Sequence, residues 1–506
     1  MSTTGTTRFL MLQGTASDVG KSLLVTGLCR AWTRRGLRVR PFKAQNITGN
    51  VAVTPESDVP GQTGEIGRAQ ALQARACRVS PSVHMNPVVL RPRAGAGSLV
   101  VARGQPLGWY RARDYGALRP RLMPLVLDSL ETLGCDADLV VVEGAGSPVE
   151  TYLKDSDIVN MALATAADLP VLMVGDVDPG GAIAALVGTH ALLEPHERER
   201  VRGYLVNKMR GDFSLFEPAC RTITERTGWP CAGLAGWFDR ARALPAEDSL
   251  SLERPATGSD DGTVPVSVLR FPNVANFDDL DPLALDPALN VHWVRGSEPI
   301  PQDSRVVILP GSGSSRADLE FLHARGWHHD LHAHVRHGGH VLGLGAGFRM
   351  LGHVIRDPEG LEGPPGDTPG LGLLDMDTCL VGGTTATTLE GRDTRFGVPV
   401  SGYRTDRAVV SGADLSRPFL TLALPDGTVH REGAVSACGR VGGSDLHGLL
   451  ASDGFRASWL KSVTGHAGAL EGFEARIEAT LDALADHLES TLDLDALLAL
   501  SASARF

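Results

Sequence analysis

The run Gly14-Thr-Ala-Ser-Asp-Val-Gly20-Lys21-Ser22 lies between a strand-like segment, RFLMLQ (8–13), and a helical pattern from about Lys21 to Arg35. Glycines let such a turn curl so that its N–H groups face a phosphate, and the helix that follows adds its positive dipole end. In this pattern Gly14, Thr15, Asp18 and Gly20 cradle a nucleoside triphosphate and Lys21 reaches its outer phosphates. Ser22 supplies a hydroxyl for magnesium, with Asp18 as a further candidate. Five residues separate the two glycines, where the common form of the motif has four. Glu143 closes the apolar run DLVVV (138–142). An acid at the C-terminal end of a parallel strand lies where open α/β sheets bind ligands, and it suits a magnesium ligand or a group that orders magnesium's water. Asp176 and Asp178 of VGDVDPGG follow another such run and are weaker candidates for magnesium or polar substrate groups. Asn207 and Lys208 of NKMRGD follow a third, and an Asn there could hydrogen-bond a purine edge.

A compositional bias sharpens this choice. Only five of the 48 basic residues are lysines: Lys21, Lys43, Lys154, Lys208 and Lys461. A compact ammonium retained in a chain that otherwise uses arginine marks a position where a planar fork does not serve. Four of the five lie in the motifs above or in those described below.

These residues need a scaffold. Short apolar runs bounded by turn residues recur at 8–13, LRVRPF (37–42), 138–142, 170–175 and 203–207, with helical patterns between them. That alternation predicts a parallel sheet covered on both faces. Residues 251–264 (SLERPATGSDDGTV) have a linker composition. A second α/β pattern follows in PVSVLRF, NVHWV, RVVILPG and HVLGLG. The expected organisation is a nucleotide-binding domain over 1–250, a linker over 251–264, a second domain over 265–490 and a tail over 491–506. Residues 469–498 carry helical periodicity and read as a packing helix.

With 506 residues the chain is too long for one core. The net charge of −11 and the absence of a long basic run argue against a nucleic-acid partner. No apolar stretch reaches about 18 residues, so no membrane span is expected. The seven cysteines contain no C-x-x-C pair, which argues against a disulfide framework or zinc knuckle. With no signal-peptide pattern at the N-terminus, the expected location is the cytoplasm.

Taken together and in order, the motifs make the chain resemble the cobyric acid synthases almost end to end. The matching stretches in the first half are GTASDVGKS (14–22), PFKAQN (41–46), GEIGRAQALQA (64–74), MNPVVLRP (85–92), VVEGAGSPVE (141–150), LKDSDIVNM (153–161), VGDVDPGGAIA (174–184), NKMRGD (207–212) and LPAEDSL (244–250). In the second half they are NFDDLDPL (276–283), ILPGSGSSRADLEFL (308–322), VLGLGAGFRMLG (341–352), SGYR (401–404) and LHG (446–448). The resemblance implies a dethiobiotin synthetase-like P-loop domain followed by a flavodoxin-like class I glutamine amidotransferase domain. It also implies the amidation of four peripheral carboxylates of a corrinoid, adenosylcobyrinic acid a,c-diamide. ATP would activate each carboxylate as an acyl phosphate and ammonia would displace the phosphate, with Mg2+ as cofactor. Lys43, Arg68 and Lys154 are then candidates for holding substrate carboxylates or the acyl phosphate, and Lys43 joins Lys21 and Glu143 as a catalytic candidate. Gln45, Asn46, Asp155, Asp157 and Asn160 help shape the substrate pocket in this reading.

The second domain departs from the family at one place. A class I amidotransferase carries its nucleophilic cysteine on a sharp strand-to-helix turn. In this family the turn resembles G-[IV]-C-G-G-[YF]-Q, and here it reads Gly343-Leu-Gly345-Ala-Gly-Phe-Arg349, so Gly345 occupies the cysteine position. Gly313-Ser314-Ser315 and Arg404-Thr405-Asp406 also replace family residues around the site, while His447 stands where the family has its catalytic histidine. In the first domain the visible changes are Arg91 for the usual Lys and Pro179 for the usual Arg. The expectation is an amidoligase that uses free ammonia or ammonia from a separate glutaminase. Two alternatives are a cobyrinic acid a,c-diamide synthase-like enzyme and a noncatalytic ATP- or corrinoid-binding regulatory protein.

Overall fold

The computed structural model describes residues 7–59, 62–93, 97–245, 263–296, 298–382, 386–405, 408–424, 426–466 and 472–506. Residues 251–262 of the expected linker, and Asp406, lie outside them. Val264, assigned to the linker from composition, already begins a strand.

The apolar runs of the first half form a six-stranded sheet. Its members are β1 (Arg8–Gly14), β2 (Val39–Phe42), β3 (Leu139–Glu143), β4 (Val171–Asp176), β5 (Val201–Met209) and β6 (Cys231–Gly236), in the order β6-β5-β4-β1-β3-β2. Every pairing is parallel. Each residue of β3 is buried, as expected of a parallel strand covered on both faces. Helices α1 (Lys21–Arg34), α2 (Arg68–Ala76), α3 (Ala182–Leu192) and α4 (Glu217–Thr227) connect or cover these strands. The order places β1, β3 and β4 side by side, so the turns after all three open at the same edge of the sheet.

The second half builds another six-stranded sheet from β7 (Val264–Leu269), β8 (Leu289–Val294), β9 (Val306–Leu309), β10 (His340–Leu344), β11 (Ala434–Val435) and β12 (Val441–Ser444). The order is β8-β7-β9-β10-β12-β11, parallel except for the short β11. A one-turn helix, α5 (Ala346–Met350), leaves β10 directly after Gly345. A separate antiparallel sheet pairs strands within residues 386–432, which sequence periodicity did not reveal, and it carries Arg404 and Glu432.

One long helix goes where the sequence did not place it. α6 (Phe473–Thr491), all but its last residue in the segment expected to belong to the second domain, packs on α1 of the first. Leu481, Leu484 and Leu488 share a core with Leu24 and Leu28. Gly27 permits the close approach, because a Cβ there would lie 2.5 Å from Leu488 Cδ1. Arg30, 2% exposed, is held by Glu478 at 2.7 Å and Asp482 at 2.8 Å. Periodicity identified the helix and its apolar face, but it carries no information about which distant surface covers that face.

The two halves meet through specific contacts. Arg68 Nη2 lies 2.5 Å from Asp278 Oδ2, Arg93 Nη1 donates to the Leu361 carbonyl at 2.9 Å, and Tyr403 Oη donates to the Val51 carbonyl at 3.4 Å. Among the described residues no helix is long and apolar enough to cross a membrane.

Candidate active site

The loop between β1 and α1 is fixed from several sides. Thr15 N donates to the Val174 carbonyl on β4 at 2.9 Å. Asn207 Nδ2 donates to the Val19 carbonyl at 2.8 Å, and Lys208 Nζ to the Asp18 carbonyl at 2.7 Å and to Asp176 Oδ2 at 2.6 Å. Asn207 and Lys208 at the end of β5 therefore hold the main chain of the phosphate loop. Asp18 contributes a carbonyl to this clamp, and its side chain is exposed. Gly20 has φ 92°, and a Cβ there would lie 2.3 Å from Asn207 Nδ2, so only glycine fits both the backbone and the clamp. Lys21 is nearly buried, with Nζ 3.0 Å from the Ala16 carbonyl and 3.2 Å from that of Gly146. The ammonium thus lies inside the loop that the sequence assigned to phosphates.

Glu143 is the centre of the site. It is fully buried, and its Oε1 accepts from Ser22 Oγ at 2.7 Å and from Lys43 Nζ at 2.8 Å. Its Oε2 accepts from Gln73 Nε2 at 2.6 Å. A buried carboxylate is tolerated only when it is paired and hydrogen-bonded, and here three donors, from two helices and the turn after β2, converge on it. Ser22 lies in the first turn of α1, Lys43 follows β2, and Gln73 belongs to α2. Gln73 was not singled out in the sequence. The available signal was a pair of amides, Gln70 and Gln73, three residues apart on one helix face where both are fully buried.

The remaining candidates separate into three groups. Gln45 accepts a hydrogen bond from Tyr115 Oη at 2.6 Å, and Asn46 Nδ2 donates to Gln70 Oε1 at 2.9 Å, so both are held in the buried segment that follows Lys43. Asn160 clamps Ala145 through both of its amide atoms, at 3.0 and 2.7 Å, and Asp157 accepts from the backbone N–H groups of Val159 and Asn160. These two shape the loop that follows Glu143. Arg68 and Lys154 have protein partners elsewhere. Arg68 is paired with Asp278 across the boundary between the halves, and Lys154 lies on the surface between Glu194 and Glu197. The side chain of Asp155 is outside the described residues.

The turn after β10 keeps the shape of a nucleophile elbow without the nucleophile. Gly345 has φ 53° and ψ −121°, a conformation strained for any residue with a side chain. A Cβ at this position would lie 2.6 Å from both Cε1 and Nε2 of His447, so the histidine ring rests against the bare turn. His447 Nδ1 lies 2.7 Å from Asp279 Oδ2, and the Tyr403 ring stacks on it at 5.3 Å. Arg349 forms a buried pair with Asp445 at 2.8 Å. Arg404 reaches Glu432 at 2.9 Å. Burial raises the Glu432 pKa, but hydrogen bonds from His430, the Asp445 N–H and Arg404 outweigh it and hold the carboxyl at about 2. Cys379 lies in the strand Asp377–Leu380, and Cys438 contacts Ser436 at 3.4 Å. The cavity beside His447 is lined by Glu65 and Arg91 of the first half and by Arg349 and Tyr403 of the second, so the elbow opens onto the nucleotide-binding half.

Two family models match the two halves of the chain. Residues 10–251 match a CobQ/CobB/MinD/ParA nucleotide binding domain, and residues 265–455 match a CobB/CobQ-like glutamine amidotransferase domain. The second match stops short of α6. A cobyric acid synthase of Methylorubrum populi is 52% identical over 98% of this chain and 99% of its own length. Cobyric acid synthases of Rhodobacter capsulatus and Paracoccus denitrificans are 51% and 50% identical, each over 97% of this chain and 99% of their own.

Proposed function

Since the chain belongs to the cobyric acid synthase family, an ATP-using ligase family, we propose that it amidates peripheral carboxylates of adenosylcobyrinic acid a,c-diamide with ammonia it does not itself release from glutamine. The observation that carries the synthetase half of this reading is the buried Glu143, bound by Ser22, Lys43 and Gln73 beside an intact phosphate loop. The observation that carries the ammonia half is Gly345 on the elbow.

The chemistry follows from the site. A substrate carboxylate oxygen attacks the γ-phosphorus of ATP, ADP leaves, and an acyl phosphate forms. Ammonia then attacks the acyl carbon and phosphate departs with the former carboxylate oxygen. Each step gathers negative charge at the transferred phosphoryl group, so most of the catalytic demand is positioning and charge neutralisation. Lys21 sits inside the phosphate loop. Lys43 is held at a fixed point by Glu143 and presents its ammonium at the same sheet edge. Ser22 Oγ and Glu143 Oε1, 2.7 Å apart, are hard oxygen donors of the kind magnesium takes alongside nucleotide phosphates. Bound there, Mg2+ would supply further charge neutralisation on the phosphates.

Glutamine cleavage needs a thiolate on the elbow, and glycine has no side chain to provide one. His447 and Asp279 remain as a dyad without a nucleophile. Two assays of the purified chain test the two halves of this reading. ADP release should require both the corrinoid and ammonium, and glutamate release from glutamine should be absent with or without ATP and corrinoid. ADP release indifferent to the corrinoid would refute the synthetase reading, and glutamate production would refute the ammonia reading.

A further inference from the structure

Arg68 and Lys154, two cations assigned to substrate carboxylates, are engaged with protein acids, which leaves open where a corrinoid would rest. A groove between α3 and α4, of about 520 Å³ and open to solvent, begins at Val177, the residue after β4, at the sheet edge that carries the phosphate loop. Val177, Gly181, Ile183, Val187 and Phe216 form its walls, and Arg226 stands among the lining residues. α3 is apolar almost all round: AIAALVGTHAL contains His190 as its one ionisable residue. Only Ala182, Leu186 and Thr189 of this helix are buried, while Ile183 is 38% and Leu192 58% exposed. A helix without a polar face, left partly uncovered on the described structure, has a partner of some kind.

Three observations identify that partner. The first is position. β4 ends at Asp176, which pairs with Lys208, and Lys208 holds the Asp18 carbonyl of the phosphate loop. The next residue, Val177, is already part of the groove wall. The second is shape and polarity. A corrin macrocycle has broad apolar faces and a rim of acidic side chains, so it needs an apolar wall with cations at the margin. The third is charge. In a chain of net charge −11, the residues lining this groove include one cation, Arg226, and no acid. A polycarboxylate meets no like charge on these walls.

We infer that the groove between α3 and α4 seats the corrinoid macrocycle, with its faces against Ile183, Val187 and Phe216 and a rim carboxylate at Arg226, so that another rim carboxylate reaches the phosphate loop. The inference rests on the function proposed above and adds to it the location of the large substrate. A ring held by its faces can be reseated with a different edge toward the nucleotide, which suits an enzyme that amidates several carboxylates around one rim.

The test titrates adenosylcobyrinic acid a,c-diamide into the full-length chain, followed by calorimetry and the corrin absorbance, for the wild type, Ile183→Glu, Val187→Glu and Arg226→Ala. A carboxylate placed on an apolar wall loses hydration and repels the rim acids, so both Glu variants should weaken corrinoid binding by about tenfold or more. Arg226→Ala, at an exposed position, should weaken it by roughly three- to tenfold. Unchanged binding of a fluorescent ATP analogue shows that each variant is folded. Wild-type corrinoid affinity in variants that still bind ATP overturns the inference. Retained corrinoid affinity with loss of self-association in light scattering overturns it too, and would identify the face as a contact between copies. If the wild-type chain itself binds no corrinoid, the proposed function fails along with the inference, and that outcome is distinct from the others.

Discussion

Replacing Gln73 by Leu tests whether Glu143 is the positioned centre of the site. Gln73 Nε2 donates to Glu143 Oε2 at 2.6 Å in a fully buried setting, and no other described hydrogen bond serves that oxygen. A hydrogen bond to a charged group contributes about 1.5–3 kcal/mol, and Leu cannot replace it. If all of that loss appears in the transition state, at about 1.36 kcal/mol per tenfold, kcat falls between roughly tenfold and 150-fold. The KM for ATP should change little, because the nucleotide is gripped by the loop clamped through Asn207 and Lys208. The assay is corrinoid- and ammonium-dependent ADP release at saturating substrates, with the thermal midpoint recorded in parallel. Gln73→Glu, which sets a second carboxylate beside Glu143, should be at least as impaired. A Leu variant with wild-type kcat, or one that loses only ATP affinity, would refute the reasoning.

Three further outcomes are expected. Lys43→Met leaves the Glu143 charge buried without its cation, so the folded state should lose about 3–5 kcal/mol, read from denaturant midpoints, and ADP release should fall further than in the Gln73 variant. Gly345→Cys restores the thiol but places a side chain at φ 53° against the His447 ring. It should lower stability by about 1–3 kcal/mol, read from urea midpoints, and a variant as stable as the wild type would contradict the strain and crowding described at the elbow. Glu432 gives a pH signature. Its folded pKa of about 2 lies below the roughly 4.3 of an unfolded glutamate, so its stabilising effect is fully present above pH ~4.3 and is lost as pH falls toward 2. Urea midpoints of wild type and Glu432→Gln should therefore converge across that window.

Much of the first half was legible because its central strands are buried on both faces, and such strands read as continuous apolar runs. The phosphate loop was legible because its chemistry demands glycine, lysine and a hydroxyl at fixed spacing. Of the five scarce lysines, Lys21, Lys43 and Lys208 fall at the site. Lys154 does not, because a sequence shows that a cation is present but not which acid folding brings to it. Arg68 illustrates the same point, since its partner Asp278 is 210 positions away. β12, which reads Val-Gly-Gly-Ser, has no side-chain alternation to betray a strand, although it pairs with β10 directly beside the elbow. The vacancy at Gly345 was legible from the motif, whereas the closure of His447 over it depends on contacts between distant segments that only the fold brings together.

The most direct measurement is the mass of the corrinoid after incubation with the protein, ATP and magnesium, with ammonium in one reaction and glutamine in another. Exchanging hydroxyl for amino lowers the mass by about one unit per site, through a change of covalent composition alone. The account predicts a product lighter by about four units with ammonium and unchanged corrinoid with glutamine. Amidation with glutamine as the sole nitrogen source would contradict it.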